Sequence, residues 1–276
     1  MNDFTDQLPL GKATVYKSEY DPDLLCPVPR KLKREEIGLT GALPFHGVDI
    51  WNAYEMSWLT RKGKPVVAMG EFRVPCESPC LIESKSFKLY LNSFNQTRFD
   101  DFDAVRVLMA QDLTNAVGAP VDVRLIGEQE FAGAIFGTLP GACLDDQDIA
   151  IAGYALEPGL LEGAADAARP VEEALYSHLL KSNCLVTDQP DWGSVLIRYR
   201  GGRIDRQALL RYLVSFRLHN EFHEQCVERI FADLLRFCRP ERLTVYARYT
   251  RRGGLDINPW RSNFEDEVEN IRLVRQ

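Results

Sequence analysis

No stretch of the 276 residues approaches the roughly 18 consecutive apolar side chains that a membrane-spanning helix requires. The opening segment, Met1 to Lys12, has no charged-then-apolar run of the secretory kind. Basic residues are in deficit, 33 Lys and Arg against 40 Asp and Glu. A net charge of −7 argues against a broad nucleic-acid-binding or anionic-membrane surface, since both need a positive footprint. No G-x-G-x-x-G follows a strand pattern, which disfavours a Rossmann dinucleotide site. Histidine occurs four times, at His46, His178, His219 and His223, too scattered for a ligand triad. The seven cysteines are odd in number and dispersed, unlike a disulfide framework. Cys76 and Cys80 form a C-x₃-C pair with no second pair at finger-like spacing, so no metal site is expected. Together these absences predict a cytoplasmic protein with reduced thiols.

What is present is an ordinary globular composition, 45% hydrophobic and 26% charged, in a chain long enough to bury a core without staples. Disorder and collagen-like structure are excluded. Residues 1–40 are rich in Pro and charge, show no sustained period, and read as an extended arm. Gly47 to Pro75 alternates loosely around the turn Arg61 to Pro65, a strand–turn–strand pattern. Phe87, Tyr90, Leu91 and Phe94 follow at i, i+3, i+4, i+7, predicting a helix. A second helix carries Val105, Leu108, Met109 and Leu113, with Asp100 or Asp101 as its N-cap. Val121, Val123 and Leu125 alternate as a strand.

The same order returns. Val195, Ile197 and Tyr199 alternate as a strand, with Gly201-Gly202 read as a turn. Leu209, Tyr212, Leu213 and Phe216 repeat the first helix. Val227, Ile230, Phe231, Leu234 and Leu235 form the next, with Asn220 as its expected cap, and Leu243, Val245 and Ala247 close the pattern. Ile82/Ile204, Tyr90/Tyr212, Leu91/Leu213, Ser93/Ser215, Phe94/Phe216, Val105/Val227, Ala110/Ala232, Leu113/Leu235 and Val123/Val245 all lie 122 positions apart without a gap. This constant register predicts a duplicated unit. Each copy reads as an α+β fold with an antiparallel sheet and helices on one face. Residues 139–190 connect the copies, with Glu157 to Arg169 as a loop or marginal helix.

The copies differ in their polar residues. The first has Glu83-Ser84-Lys85-Ser86-Phe87-Lys88 at its first helix start, where the second has Asp205-Arg206-Gln207-Ala208. The second has Phe222-His223-Glu224 where the first has Asp100-Asp101-Phe102. Either these are solvated helix ends, or each copy supplies half of a composite site.

Four segments carry more. Glu83-Ser84-Lys85-Ser86-Phe87-Lys88-Leu-Tyr-Leu91, Cys184-Leu-Val-Thr-Asp-Gln-Pro-Asp191-Trp-Gly193, Phe222-His223-Glu224 and Thr250-Arg-Arg-Gly-Gly254 together resemble the QueF family. These are NADPH-dependent nitrile reductases acting on 7-cyano-7-deazaguanine in queuosine biosynthesis. The resemblance is to the long form, in which the first motif lies in one module and the other three in the next.

It implies two tandem tunnelling-fold (T-fold) modules, at 41–155 and 156–276 after the arm, paired into a homodimer. It implies a free deazapurine as substrate, with no nucleic acid or membrane as a partner. Cys184 is similar to the family's nucleophile, whose thiolate would add to the nitrile carbon to give a covalent thioimide. Asp191 would donate the proton to the nitrile nitrogen, the proline turn before it helping to fold the chain back. Glu83 and Glu224 would accept from the base edge, with Ile82 and Ser84 lining the pocket. His223 would contact substrate or move protons. Ser84, Lys85, Arg252 and Gly253 would bind NADPH, Lys and Arg matching phosphate and glycine opening backbone N–H groups. Two other readings carry different consequences. A zinc-dependent purine or pterin hydrolase of the same fold requires stoichiometric metal. A non-enzymatic purine-binding module has no turnover to lose when Cys184 is replaced.

Overall fold

The structure is a computed structural model and describes residues 16–276. Residues 1–15 of the segment read as an arm lie outside the described residues. Within the described part, β1 (Pro27–Pro29) and α1 (Arg30–Glu36) are regular. The expectation of an extended arm is therefore corrected there. β1 finds its partner in a distant strand, β4 (Cys80–Ile82), and such a pairing leaves no local period to read. Among the described residues, no helix is long and apolar enough to cross a membrane.

The chain forms two compact units. The first comprises residues 16–32, Val48–Ile135 and Arg251–Ile257. Its hairpin pairs β2 (His46–Thr60) with β3 (Pro65–Pro75) through a turn in which Gly63 adopts φ +84°, a conformation that favours glycine. Then follow α2 (Ser84–Ser93), the short β5 (Arg98–Phe99), α3 (Phe102–Val117), β6 (Asp122–Ile126) and one turn of helix, α4 (Glu128–Phe131). β6 runs antiparallel to β3. The alternate side chains Trp51, Ala53, Phe72 and Val74 meet Phe87, Tyr90 and Phe94 of α2 and Val105, Met109, Leu113 and Val117 of α3. The helices cover one sheet face because their apolar stripes, at spacings of three and four, are the only surface wide enough to close it.

The second unit comprises Lys33–Gly47, Phe136–Thr250 and Asn258–Gln276. After the short β7 (Ala142–Cys143), two long strands, β8 (Ala165–Asn183) and β9 (Pro190–Ile204), form an antiparallel hairpin. α5 (Arg206–Ser215) and α6 (His223–Cys238) follow, then β10 (Arg242–Tyr249), which is antiparallel to β9 and to β11 (Leu255–Ser262). Both units are thus α+β, with antiparallel-rich sheets and helices on one face.

Three expectations fail here for identifiable reasons. Gly201 and Gly202 do not turn the chain; they lie inside β9, opposite Val171 and Pro170. A Cβ on Gly201 would lie 2.9 Å from Pro240, and one on Gly202 2.9 Å from the Asp166 carbonyl oxygen. These glycines admit close backbone approach, the other use of glycine in a strand. The connector holds β8, the longest strand, which begins inside the segment read as loop or helix. Its first half is solvent-facing and lacks apolar alternation. Asn220 does not cap α6; the N-cap is Phe222, which makes no side-chain capping bond.

The repeat is real in the structure but not gapless. α2 and α5 lie 122 positions apart at both ends. Tyr90 and Tyr212 each donate to a helix aspartate, Asp112 and Asp233, at 2.7 Å. Ser93 and Ser215 each bond back to that tyrosine's carbonyl at 2.6 Å. From α3 to α6 the offset becomes 121. The bounds shift together, and buried Val105, Met109, Leu113 and Val117 match buried Cys226, Ile230, Leu234 and Cys238. Gly118 and Arg239, the left-handed C-caps, agree. One residue is missing from the second copy between its helices.

Candidate active site

That missing residue changes which positions correspond. Asp101, which caps α3 by accepting from Ala104 N–H at 2.8 Å, corresponds to Phe222. His223 and Glu224 then occupy the first turn of α6. The second copy has given up a capping bond, typically worth about 1 kcal/mol, to present Phe-His-Glu there. A local rule broken without local compensation is the kind of place where functional or strained positions are expected.

The β8–β9 hairpin builds the rest of this cluster. Asn183 pairs with Pro190 and Ser182 with Asp191. The intervening loop closes with Cys184 N–H donating to the Gln189 carbonyl at 2.8 Å and Asp188 N–H to the Cys184 carbonyl at 3.2 Å. Asp188 is left-handed at φ +56°. Cys184 therefore directly follows the last residue of β8 and Asp191 is the second residue of β9, both buried. The proline does not by itself bring the chain back; the strand register does.

The approach to α6 is tied to the same loop. Asn183 N–H donates to the His219 carbonyl at 2.8 Å, and Glu221 N–H to the Asn183 carbonyl at 3.1 Å. The Asn183 amide donates to Asn220 Oδ1, and the Asn220 amide to Asp188. Glu221 accepts a two-pronged bond from Arg229, at 3.0 and 2.7 Å, and lies 3.1 Å from His219 Nε2. Burial alone would raise the Glu221 pKa, but His219 and Arg229 outweigh it and hold the carboxyl below its usual range. His223 thus arrives with Nε2 3.3 Å from Asp191 Oδ1, both side chains largely buried. Lys181, one strand residue away, has its pKa lowered, first by burial and then by Arg217. This corner of the second unit presents a thiol, a carboxyl, an imidazole and the buried carboxyl of Glu224.

The first unit holds the other group of expected residues. Glu83 caps α2: its two oxygens accept from Lys85 N–H and Ser86 N–H, both at 2.8 Å. Glutamate is an unusual cap, and this one is wholly buried. Burial pushes its pKa up despite the two backbone bonds and nearby Lys88. Ser84 follows it, with its hydroxyl 3.4 Å from Glu83 Oε1. Ile82 is buried in the apolar core beneath the helix start.

The turn Arg251–Gly254 belongs to the same unit. Its glycines are left-handed, Gly253 at φ +57° and Gly254 at φ +71°. A Cβ on Gly254 would collide with the Glu55 carboxyl carbon at 2.4 Å, whereas one on Gly253 would rest against the Lys88 side chain at 3.5 Å. Lys88, one turn beyond Ser84, thereby joins the helix start to the glycine turn. Lys88, Arg251 and Arg252 supply positive charge at this glycine turn, beside the Glu55 carboxyl, and Lys85 lies one turn before Lys88 on α2; cations and open backbone of this kind fit phosphate. Among the described residues, no group of three His, Cys, Asp or Glu is placed to hold a metal ion.

Sequence reasoning gave Asn220 only a capping role and did not single out Asn183, Glu221, Arg229 or Tyr249. Asn183, Asn220 and Glu221 adjoin quoted motifs, but their roles depend on a pairing between segments more than 30 residues apart.

The chain matches two family models, one described as nitrile reductase, 7-cyano-7-deazaguanine-reductase N-term, over residues 16–125, and one as QueF-like protein, over residues 190–268. These define the class as nitrile reductases. Two curated relatives are NADPH-dependent 7-cyano-7-deazaguanine reductases. That of Ralstonia nicotianae is 59% identical over 271 residues, covering 97% of this chain and 98% of that protein. That of Chromobacterium violaceum is 59% identical over 270 residues, covering 97% and 96%. The chain belongs to the QueF family of NADPH-dependent 7-cyano-7-deazaguanine reductases.

Proposed function

We propose that the protein reduces the nitrile of 7-cyano-7-deazaguanine to the aminomethyl group, in queuosine biosynthesis, consuming two NADPH per base. The observation that carries this reading is the hairpin end. Cys184 and Asp191 flank one closed loop, and His223 is held 3.3 Å from Asp191 by the backbone bridge between Asn183 and residues 219–221.

The chemistry divides among the chain's own residues. The Cys184 sulfur bonds to the electrophilic nitrile carbon as a proton passes from Asp191 to the nitrile nitrogen, giving a thioimide. Bound NADPH would supply hydride, first to the thioimide carbon and then to the imine carbon, and the nitrogen takes its second proton through Asp191 and His223 to leave the amine. Between those two events the C–S bond breaks and the thiolate leaves, regenerating Cys184. His223, against Asp191, exchanges the proton that Asp191 loses. Glu83 and Glu224 accept from the N–H edge of the base, and Ser84 and Ile82 bound it. A buried carboxylate reads a donor edge with charge assistance, at about 1.5–3 kcal/mol per bond. Ser84, Lys85, Arg252 and Gly253 would hold the cofactor's phosphates.

In this reading the repeats at 41–155 and 156–276 are T-fold modules, and the protein is a cytoplasmic homodimer acting on the free base and not on nucleic acid. The test follows nicotinamide absorbance with the nitrile base as the variable. The expected result is nitrile-dependent oxidation of two NADPH per base. Intact-mass measurement should show a covalent adduct in the wild type and none in Cys184→Ala. Nitrile-independent oxidation, or an adduct that survives Cys184→Ala, would overturn the proposal.

A further inference from the structure

The His223 imidazole lies on the ring of Tyr249, with centroids 3.8 Å apart and planes inclined by 6°. Neutral aromatic pairs favour offset or edge-to-face contacts at 4.5–7 Å over direct overlap. Two other stacked pairs among the described rings, Phe94–Phe99 and Phe87–Tyr90, are 5.5 and 6.2 Å apart. The surroundings, more than any preference of the pair, therefore impose this contact.

The tyrosine is fixed from every side. Tyr249 ends β10, opposite Gly193 of β9. Its N–H donates to Asn258 Oδ1 at 3.0 Å, and its carbonyl accepts from Gln276 Nε2 at 3.0 Å. Gln276 and Asn258 are themselves bonded at 2.8 Å, and Arg248 Nε anchors the glutamine at 3.0 Å. The ring is fully buried, and burial, with Cys226 beside the hydroxyl, keeps the phenol neutral by raising its pKa well above the usual value. A Cβ on Gly193 would stand 3.1 and 3.2 Å from the ring's Cδ1 and Cε1. The glycine that ends the Asp191-Trp-Gly193 motif makes room for this ring.

The imidazole has little else to orient it. A working histidine is usually held by a hydrogen bond on its second nitrogen. Here Nδ1 is buried and has no hydrogen-bond partner among the described residues.

We propose that Tyr249 is a positioning residue, which with Gly193 fixes the plane of His223 so that Nε2 faces Asp191. This rests on the role given above to His223 and Asp191. The ring face takes the place of the missing Nδ1 bond. It stops rotation of the imidazole about its Cβ–Cγ bond.

The experiment is steady-state kinetics of nitrile-dependent NADPH oxidation, with thermal unfolding of each variant. Tyr249→Leu should lower kcat about 10–100-fold, the scale of a misplaced proton-transfer group, with the KM for the nitrile base changed less than about threefold. Tyr249→Phe, which keeps the ring, should return kcat to within about threefold of wild type. In a His223→Ala background, Tyr249→Leu should cost less than about twofold more, because nothing remains to be positioned. An equal loss in both backgrounds, or a folded Tyr249→Leu with wild-type kcat, would overturn the proposal. If Tyr249→Leu does not fold, proton NMR of the wild type decides. The His223 ring protons should be displaced upfield by the tyrosine ring current, and normal positions would refute the stack. His223→Ala at wild-type rate would instead sink the reading of His223 beneath the proposal.

Discussion

The two copies contain a control for the unusual cap of α2. Glu83 and Asp205 each end the segment before the first helix of their copy, and each accepts from the backbone N–H groups two and three residues on. The distances are 2.8 and 2.8 Å for Glu83, and 2.8 and 3.0 Å for Asp205. Asp205 is exposed, so Asp205→Ala should cost the ordinary price of a cap, about 1 kcal/mol. Glu83 is wholly buried. Glu83→Ala leaves two backbone donors unpaired, about 1–3 kcal/mol each. It also relieves the desolvation that raises the Glu83 pKa, so the net loss should be about 2–3 kcal/mol. At about 2–4 °C per kcal/mol for units of this size, Tm should fall by roughly 5–10 °C for Glu83→Ala and 2–4 °C for Asp205→Ala. Function should separate them further. Calorimetric titration with the nitrile base should show Glu83→Gln binding about 10–100-fold more weakly, the scale of one charge-assisted hydrogen bond, and Asp205→Asn unchanged. Equal base affinity in wild type and Glu83→Gln would refute the base-reading role. Equal Tm losses for the two alanine variants would refute the burial argument.

Gly254→Ala should raise the KM for NADPH several-fold with little change in the KM for the nitrile base, because φ +71° strains any L side chain by about 1 kcal/mol and its Cβ would strike Glu55; unchanged cofactor kinetics would remove the glycine turn from the site. The Glu83 carboxyl is raised above its ordinary 4.5, so base affinity should begin to fall on acidification at a pH above 4.5. Titrations across the acid range should show this in wild type but not in Glu83→Gln. Its stability term has the opposite sense, present below 4.5 and lost as pH rises through the folded value. Glu221 runs the other way: its folded pKa is lowered, so its contribution is present above 4.5 and lost as pH falls. Glu221→Gln should be less stable than wild type at neutral pH by about 3 kcal/mol of lost pairing with Arg229, and its Tm should converge with that of wild type in acid. Asp191→Ala should slow adduct formation seen by mass spectrometry while Glu224→Ala mainly weakens base binding; the reverse pattern would exchange their roles.

The duplication was legible because core positions obey a period. Tyr90 and Tyr212, or Phe94 and Phe216, must fill the same place on the same helix, and their identity survives in the spacing. The slip from 122 to 121 was not legible. Val105/Val227 and Leu113/Leu235 match as apolar residues at 122, and only burial shows that Cys226 and Leu234 take the corresponding depths. β8 was missed because its first half faces solvent, and the two glycines of β9 because glycine opens both turns and close approaches. Among expected site residues, Cys184, Asp191 and His223 share a tightly bonded corner. The groups that hold them there, Asn183, Asn220, Glu221 and Tyr249, act across pairings that no local pattern records.

The shift of one residue bears directly on how a duplicated unit acquires a site. With equivalence at 121, Phe222 stands where Asp101 caps its helix, and His223 and Glu224 stand where the first copy has Phe102 and Asp103. At the other helix the difference is reversed. The second copy keeps an ordinary exposed cap, Asp205, while the first has a longer, buried carboxylate doing the capping at Glu83. Each copy therefore departs from simple helix-start chemistry at one helix and retains it at the other. A capping bond is a small term, and a fold with two such units can lose or bury one without unfolding. The first turn of a helix is also where backbone N–H groups converge and a carboxylate or imidazole can be held rigidly. Divergence after duplication has been cheapest at these helix starts, and the residues proposed to read the base lie at both of them.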